Sequence, residues 1–159
     1  MNSTLMQALN DQLTMERQNA AIYDALSAAL DVVFWSGSSK WMKSSANEER
    51  EHADKFAGYI VDRMGVPVFS SLDGCNCPTG DNLVDYFSAA LGREWLTTEA
   101  IKTLYYMAEE AEESQTCQFL LSFLEEQTKS EREISDYLIM LKRLDKTGMM
   151  IFDKQLEKG

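Results

Sequence analysis

Four stretches of this chain, each about seven helical turns long, carry apolar side chains at three- and four-residue steps. Only two prolines and eight glycines interrupt the 159 residues, which leaves few places for a helix to end. The first stretch has Asn2 or Ser3 as its expected cap. The pattern therefore predicts an all-α protein with long helices over Ser3 to about Phe34, about Ser38 to Met64, about Asp81 to Glu112, and about Gln115 to Arg143.

The connections between these helices predict how they run. We expect the segment "GSS" at 37–39 to end the first helix, and a short turn to join the third to the fourth, so that each pair is antiparallel. One long link, from Gly65 to Gly80, could stretch roughly 50 Å, whereas a helix of this length measures about 40 Å. The sequence therefore predicts an antiparallel four-helix bundle with one long crossover between helices two and three.

The tail after Thr147, "GMMIFDKQLEKG", predicts a short C-terminal fifth helix of about three turns. Its apolar face contains Met149, Met150 and Phe152, and the four-helix bundle leaves no core for this face to cover. We therefore expect it to be buried between subunits. Because 159 residues suffice for one domain, residues 1–159 are expected to form a single one.

The charge balance excludes several partners. Twenty-six acidic against 15 basic residues give a net charge of −11, which repels nucleic acids and anionic lipids but attracts cations. No apolar run approaches the roughly 20 residues needed to cross a membrane. The start "MNSTLMQALNDQ" resembles no signal peptide, and three cysteines are an odd number. We therefore expect a cytoplasmic protein with no membrane and no nucleic acid partner.

Glutamates occupy core positions in three of the apolar stripes, namely Glu16, Glu49 and Glu94. Carboxylates inside a bundle cost several kcal/mol unless something positive lies between them. His52 lies three residues after Glu49 in "NEEREH", so both side chains can reach the same ion. Hard oxygen ligands with a single imidazole suit iron or manganese better than zinc. The pattern indicates a metal centre inside the bundle.

In these residues the chain resembles a non-haem ferritin of the bacterial type, over nearly its whole length. The shared features are Glu16 followed seven residues later by Tyr23, "EEREH" on helix two, Glu94 on helix three and "EEQ" on helix four. The resemblance implies a ferroxidase that oxidises Fe(II) with oxygen or hydrogen peroxide at a di-iron centre. It also implies a homo-oligomer, a hollow shell of 24 subunits that stores ferric mineral.

The resemblance also implies residue roles. Glu16, Glu49 and His52 would hold the first iron, and Glu49 would bridge to a second iron bound by Glu94. Gln127 would lie near the second iron. Tyr23 would neighbour the pair, either as an electron donor or as a packed tyrosine that is hydrogen-bonded to a carboxylate.

Three departures from related families stand out. Glu48 and Glu126 match two ligands of a third iron position found in many prokaryotic ferritins, but Lys129 and Ser130 replace its further carboxylates, so we expect a third iron to bind weakly or transiently. Arg50 stands where bacterioferritin has a haem-ligating methionine, so we expect no haem. Gln127 and Ser130 also replace the second E-x-x-H motif of bacterioferritin.

Other interpretations remain open. A bacterioferritin-like or rubrerythrin-like di-metal oxidoreductase or peroxidase would not store mineral, although such proteins usually show the second E-x-x-H. A structural shell subunit without oxidase activity would lack ligands that are present here. Cys75 and Cys77 form a C-x-C motif, which is a poor metal site without further ligands. The acidic segment 108–114 is either a solvated turn or the wall of a channel that attracts Fe(II).

Overall fold

The computed structural model describes residues Met1–Gly159 and contains five α-helices and no strand. α1 packs along α2 and α3 along α4, and contacts between α1 and α3 join the two pairs. The long link runs between Asp62 and Leu83. This confirms the predicted four-helix bundle with a crossover and a short fifth helix. The helices are α1 Ser3–Val32, α2 Ser36–Asp62, α3 Leu83–Glu110, α4 Ser114–Leu141 and α5 Lys146–Lys158.

Three helices end at a non-glycine residue with left-handed backbone. Phe34, Met64 and Glu112 have φ of 64°, 61° and 55°, and they follow α1, α2 and α3. In each case the next residue's amide bonds to the carbonyl five residues earlier, as Trp35 does to Leu30 at 3.0 Å. This is the capping geometry that usually places glycine at the left-handed position.

Those caps explain an error in the predicted boundaries. The segment "GSS" at 37–39 was expected to end α1, but it lies inside α2. The turn is made by 33–35, with Phe34 in the conformation where a glycine would be expected. Because the prediction relied on glycine as the marker, it missed a turn in which an exposed phenylalanine takes the left-handed position.

The core is divided into two apolar clusters. One contains Tyr23, Leu26 and Leu30 of α1, and the other contains Leu5, Leu9 and Leu13 of the same helix. Between the two sets along α1 lie three buried polar residues, Gln12, Glu16 and Asn19. α2 repeats this order, with apolar residues on either side of Glu49. A polar layer therefore crosses the middle of the bundle.

The crossover is attached to the outer side of α1 by specific hydrogen bonds. Asn10 accepts a bond from the amide of Val68 at 2.6 Å, and Arg17 donates to the carbonyl of Ser70 at 2.7 Å. Gln18 bonds to both the amide and the carbonyl of Asp73, at 2.8 and 3.2 Å. These bonds satisfy backbone groups of a segment that has no secondary structure of its own.

None of the five helices combines the length and the apolar character that a membrane span requires.

α5 docks on the start of α2 through a buried carboxylate. Asp153 accepts hydrogen bonds from the amides of Gly37 and Ser38 at 3.0 and 2.6 Å, which caps α2 because its own N-cap residue, Trp35, makes no side-chain cap. A Cβ at Gly37 would overlap the carbonyl oxygen of Asp153, so only glycine permits this approach. α5 therefore supplies the N-terminal cap of α2.

The expectation that the apolar face of α5 finds no core within the chain is wrong. Phe152 is buried, and its ring packs against those of Phe87 and Tyr137 at 5.9 and 5.3 Å. Met149 also packs against this cluster, whereas Met150 is 59% exposed. The face was misjudged because the sequence pattern does not show that the bundle leaves a gap beside α2.

Replacing Asp153 by alanine should destabilise the protein. The amides of Gly37 and Ser38 would lose their acceptors in a buried place, at a cost of about 2 kcal/mol. The expected result is a lower melting temperature in calorimetry. Lys154→Ala, at the next and exposed position of α5, is the matched control and should change little. Equal melting temperatures for the two variants would contradict the capping role.

Candidate metal centre

Three potential ligands meet within the polar layer. Glu16 comes from α1, and Glu49 and His52 lie one helical turn apart on α2. One ligand atom of each residue lies within 4.8 Å of the others, and no other group of three or more such side chains is this close. Glu16 is fully buried and Glu49 is 4% exposed, while the side chain of His52 is 12% exposed.

The two carboxylates are poorly compensated by the protein. Glu16 Oε1 accepts a hydrogen bond from Gln12 at 2.7 Å, but Glu16 Oε2 is buried without any partner. Burial and the neighbouring charge of Glu49 raise the pKa of Glu16 well above its usual range. Burial also raises the pKa of Glu49 to about 7. Neither forms an ion pair with lysine or arginine, so a metal cation fits this arrangement of oxygens.

His52 presents one nitrogen to the carboxylates and the other to a second acid. Its Nδ1 lies 3.4 Å from Glu49 Oε2 and 4.0 Å from Glu16 Oε2. Its Nε2 is hydrogen-bonded to Glu126 at 2.6 Å. Because an ionised carboxylate can only accept, this bond places a proton on Nε2, so the neutral imidazole would have Nδ1 free for a metal. A carboxylate behind a ligating histidine is the usual way to orient the imidazole.

Glu126 is hydrogen-bonded to His52 in this structure, and its expected role as a ligand of a third iron stays a prediction. Burial raises its pKa, but the hydrogen bond from His52 and the charges of His52 and Lys55 outweigh burial and hold the pKa below its usual range. Lys55 lies 3.4 Å from the other oxygen. Glu48 lies on the wall of the adjoining cavity instead. Lys129 is exposed, and Ser130 bonds to the backbone carbonyl of Glu126 at 3.2 Å.

Glu94 on α3 is a third buried carboxylate of the layer. The hydroxyl of Tyr23 donates to Glu94 Oε1, and Gln127 of α4 donates to Glu94 Oε2 at 2.8 Å. Burial and the charge of Glu94 raise the pKa of Tyr23 well above its usual range. Glu94 does not belong to the group of three ligands, but it lines the same cavity as Glu49 and His52. This cavity of about 460 Å³ connects the layer with the protein surface.

Three buried polar residues of the layer were not predicted from the sequence, namely Gln12, Asn19 and Thr97. Gln12 and Asn19 lie four before and three after Glu16, on the core face of α1. That spacing is the signal that could have identified them, because a polar residue on a core face needs a partner. Thr97 lies three residues after Glu94 on α3 in the same way.

The other candidates from the sequence do not join the centre. Cys75 and Cys77 are half-buried free thiols in the crossover, where Gln18 contacts Cys75 at 3.6 Å. In the acidic turn, Glu113 is paired with Arg63, while the side chains of Glu109, Glu110 and Glu112 are exposed. Their part in guiding cations stays a prediction.

Comparisons of the sequence and of the structure with known proteins point to the same family. A family model described as "Ferritin-like domain" matches residues 6–144. The chain is 34% identical to Ferritin-1, chloroplastic, of Brassica napus, with 94% of this chain covered but only 62% of that longer protein. It is 28% identical to a bacterial non-heme ferritin of Bacteroides fragilis, covering 96% and 95% of the two chains. The structure superposes on an open pore ferritin from Archaeoglobus fulgidus with a TM-score of 0.95 and 25% identity, covering 99% and 96%.

Raising the pH should destabilise the metal-free protein. Folded Glu49 holds its proton up to about pH 7, whereas the unfolded chain releases it near 4.5. Between these values the unfolded state binds fewer protons, so the free energy of unfolding falls as pH rises, by up to about 3 kcal/mol. Melting temperatures measured with a chelator across this pH range provide the test.

Two variants isolate the contribution of Glu49. Glu49→Gln cannot release a proton, so its melting temperature should fall less steeply with pH. Glu110→Gln, at an exposed position, should keep the slope of the parent protein. The same slope in all three proteins would show that the buried carboxylate does not carry the pH dependence.

Proposed function

The chain belongs to the ferritin family, and on this premise we propose that it stores iron after oxidising Fe(II) to Fe(III) inside its own helical bundle. The observation that carries the proposal is the unpartnered, buried Glu16 Oε2, which faces Glu49 and His52, while no lysine or arginine forms an ion pair with either carboxylate. Such an arrangement is destabilising by itself. Divalent iron supplies the missing positive charge, and iron here is the substrate.

Two positions for iron follow from the arrangement of donors. Glu16, Glu49 and Nδ1 of His52 would bind the first ion. Glu49 would also contact a second ion held by Glu94, with Gln127 beside it. Anionic oxygen ligands favour the more highly charged Fe(III), which assists loss of an electron. Two Fe(II) ions together supply the two electrons that convert one oxygen molecule and two protons into hydrogen peroxide; with peroxide as the oxidant, the same two electrons and two protons yield two water molecules.

The surrounding side chains orient these ligands. Glu126 holds the imidazole of His52 with Nδ1 toward the carboxylates. Tyr23 and Gln127 each bond to one oxygen of Glu94, which supports a positioning role for Tyr23. Because the carboxylate of Glu126 already bonds to His52, it is poorly available as a ligand for a third iron. We therefore propose two well-held iron ions and a third that binds weakly, beside Glu48 on the cavity wall.

Storage without haem is favoured over the alternative di-metal enzymes. Gln127 is neutral and donates to Glu94, so it does not provide the further carboxylate and histidine of the second E-x-x-H motif. Arg50 bonds to Asp24 and Asn47 and offers no thioether to a haem iron.

We propose a homo-oligomeric shell of 24 subunits. A cytoplasmic location is proposed from the three free cysteines.

Loss of a ligand should slow the rapid first phase of Fe(II) oxidation. His52→Ala or Glu94→Ala leaves one ion poorly positioned, and we expect at least a tenfold decrease in rate (about 1.4 kcal/mol). Glu49→Ala should have the largest effect because this carboxylate serves both ions. Stopped-flow absorbance after mixing with Fe(II) in air provides the measurement. Glu125→Ala, at an exposed position of α4 outside the acidic segment, is the control, and ligand variants as fast as this control would contradict the site.

Assembly and iron retention test the storage function separately. A shell of 24 chains of 18.1 kDa has a mass of about 430 kDa. We expect light scattering after size-exclusion chromatography to show this mass, and iron added aerobically to elute with the protein. A smaller species that oxidises Fe(II) but retains no iron would instead support a di-metal oxidoreductase without mineral storage.

A further inference from the structure

A second set of buried polar groups lies on the α1–α3 side of Glu49. Asn19 of α1 and Thr97 of α3 are 1% and 0% exposed. Arg93, one turn before Thr97, reaches them from a partly buried position. The three side chains form a continuous set of hydrogen bonds that ends at Glu49. None of these residues provides a carboxylate or imidazole to the proposed iron positions.

The hydrogen bonds determine which way the amide of Asn19 points. Arg93 Nε can only donate, so Asn19 must present its oxygen to Arg93. The hydroxyl of Thr97 donates to the backbone carbonyl of Arg93 at 3.1 Å, so it accepts from Asn19 Nδ2 at 2.9 Å. The second N–H of Asn19 is then left for Glu49 Oε2, at 3.5 Å. Arg93 and Thr97 together prevent the amide from flipping.

The contact with Glu49 is the longest in the set. At 3.5 Å it lies at the limit of a hydrogen bond, while the two bonds that orient the amide are shorter. The donor is therefore fixed and the carboxylate is the part that can move. Glu49 Oε2 is also the oxygen nearest His52 Nδ1, at 3.4 Å. The amide thus approaches the carboxylate oxygen that a metal beside His52 would use.

We propose that Asn19 is a positioning residue for Glu49, oriented by Arg93 and Thr97, and that this contact sets the affinity of the centre for its metal ions. The inference rests on the proposed function, because it requires Glu49 to bind metal. The contact connects a carboxylate of α2 to α1 and α3, which carry Glu16 and Glu94. Hydrogen bonds to a ligating carboxylate limit its orientations before the metal arrives, and loss of such a partner typically lowers metal affinity by about 10–100-fold.

The test measures metal binding rather than oxidation. Anaerobic Co(II) titration of the intact assembled protein, followed by calorimetry and visible absorption, gives the number of sites and their dissociation constants. Asn19→Leu keeps a similar side-chain volume but removes both N–H groups and the oxygen. We expect its dissociation constant for Co(II) to rise by at least about tenfold, with a changed absorption spectrum because Glu49 is oriented differently.

Matched variants separate positioning from general stability. Asn10→Leu removes another buried asparagine of α1, which bonds to Met6 and Val68. It should lower the melting temperature and leave Co(II) affinity unchanged. Thr97→Val removes the acceptor that orients Asn19, so it should weaken Co(II) binding in the same direction, though less. Thr97→Ser retains a hydroxyl and should restore the affinity of the parent protein.

The outcomes are distinguishable. If the parent protein binds Co(II) and the Asn19 and Thr97 variants bind it equally well, the network is only structural and the inference fails alone. If the parent protein binds no Co(II), the proposed metal centre fails and the inference fails with it. Should Asn19→Leu not assemble, the comparison of Thr97→Val with Thr97→Ser decides the matter, since both keep Asn19 in place.

Discussion

The structure depends on a set of carboxylates that are held inside the helical bundle without a compensating positive charge. Glu16, Glu49 and Glu94 are each at most 4% exposed, and burial raises the pKa of both Glu16 and Glu49. Such a layer opposes folding, because taking charges out of water costs several kcal/mol per ion. A divalent cation bound there would offset that cost, so the proposed function predicts that metal binding stabilises the fold.

The rest of the fold offsets this local instability. Apolar clusters of 15 and 11 buried residues lie on either side of the layer, so each end of the bundle has its own core. The crossover is hydrogen-bonded to α1, and α5 caps the start of α2 through Asp153. Neutral polar side chains such as Gln12 and Gln127 bond to the carboxylates from within the layer. Glu16 and Glu94 are therefore kept in place by groups that add no further charge.

Most of the architecture was predictable because periodicity and chain length limit what long amphipathic helices can form. The four long helices, the crossover and the short fifth helix were all predicted, with boundaries in error by about two residues. The turn at Phe34 and the docking of Phe152 were not. At the turn an exposed phenylalanine takes the left-handed position that glycine usually marks, so no signal in the sequence indicates it. The docking of Phe152 depends on the rings of Phe87 and Tyr137, which are far away in the sequence.

The sequence by itself determined that Glu16, Glu49 and His52 could meet, because charged residues at core positions of helices have nowhere else to point. Only the tertiary structure decided how they are used. It assigned Nε2 of His52 to Glu126, and it directed the amide of Asn19 toward Glu49. The reason is that periodicity specifies the face on which a side chain lies, whereas the direction of a hydrogen bond depends on atoms that other helices contribute.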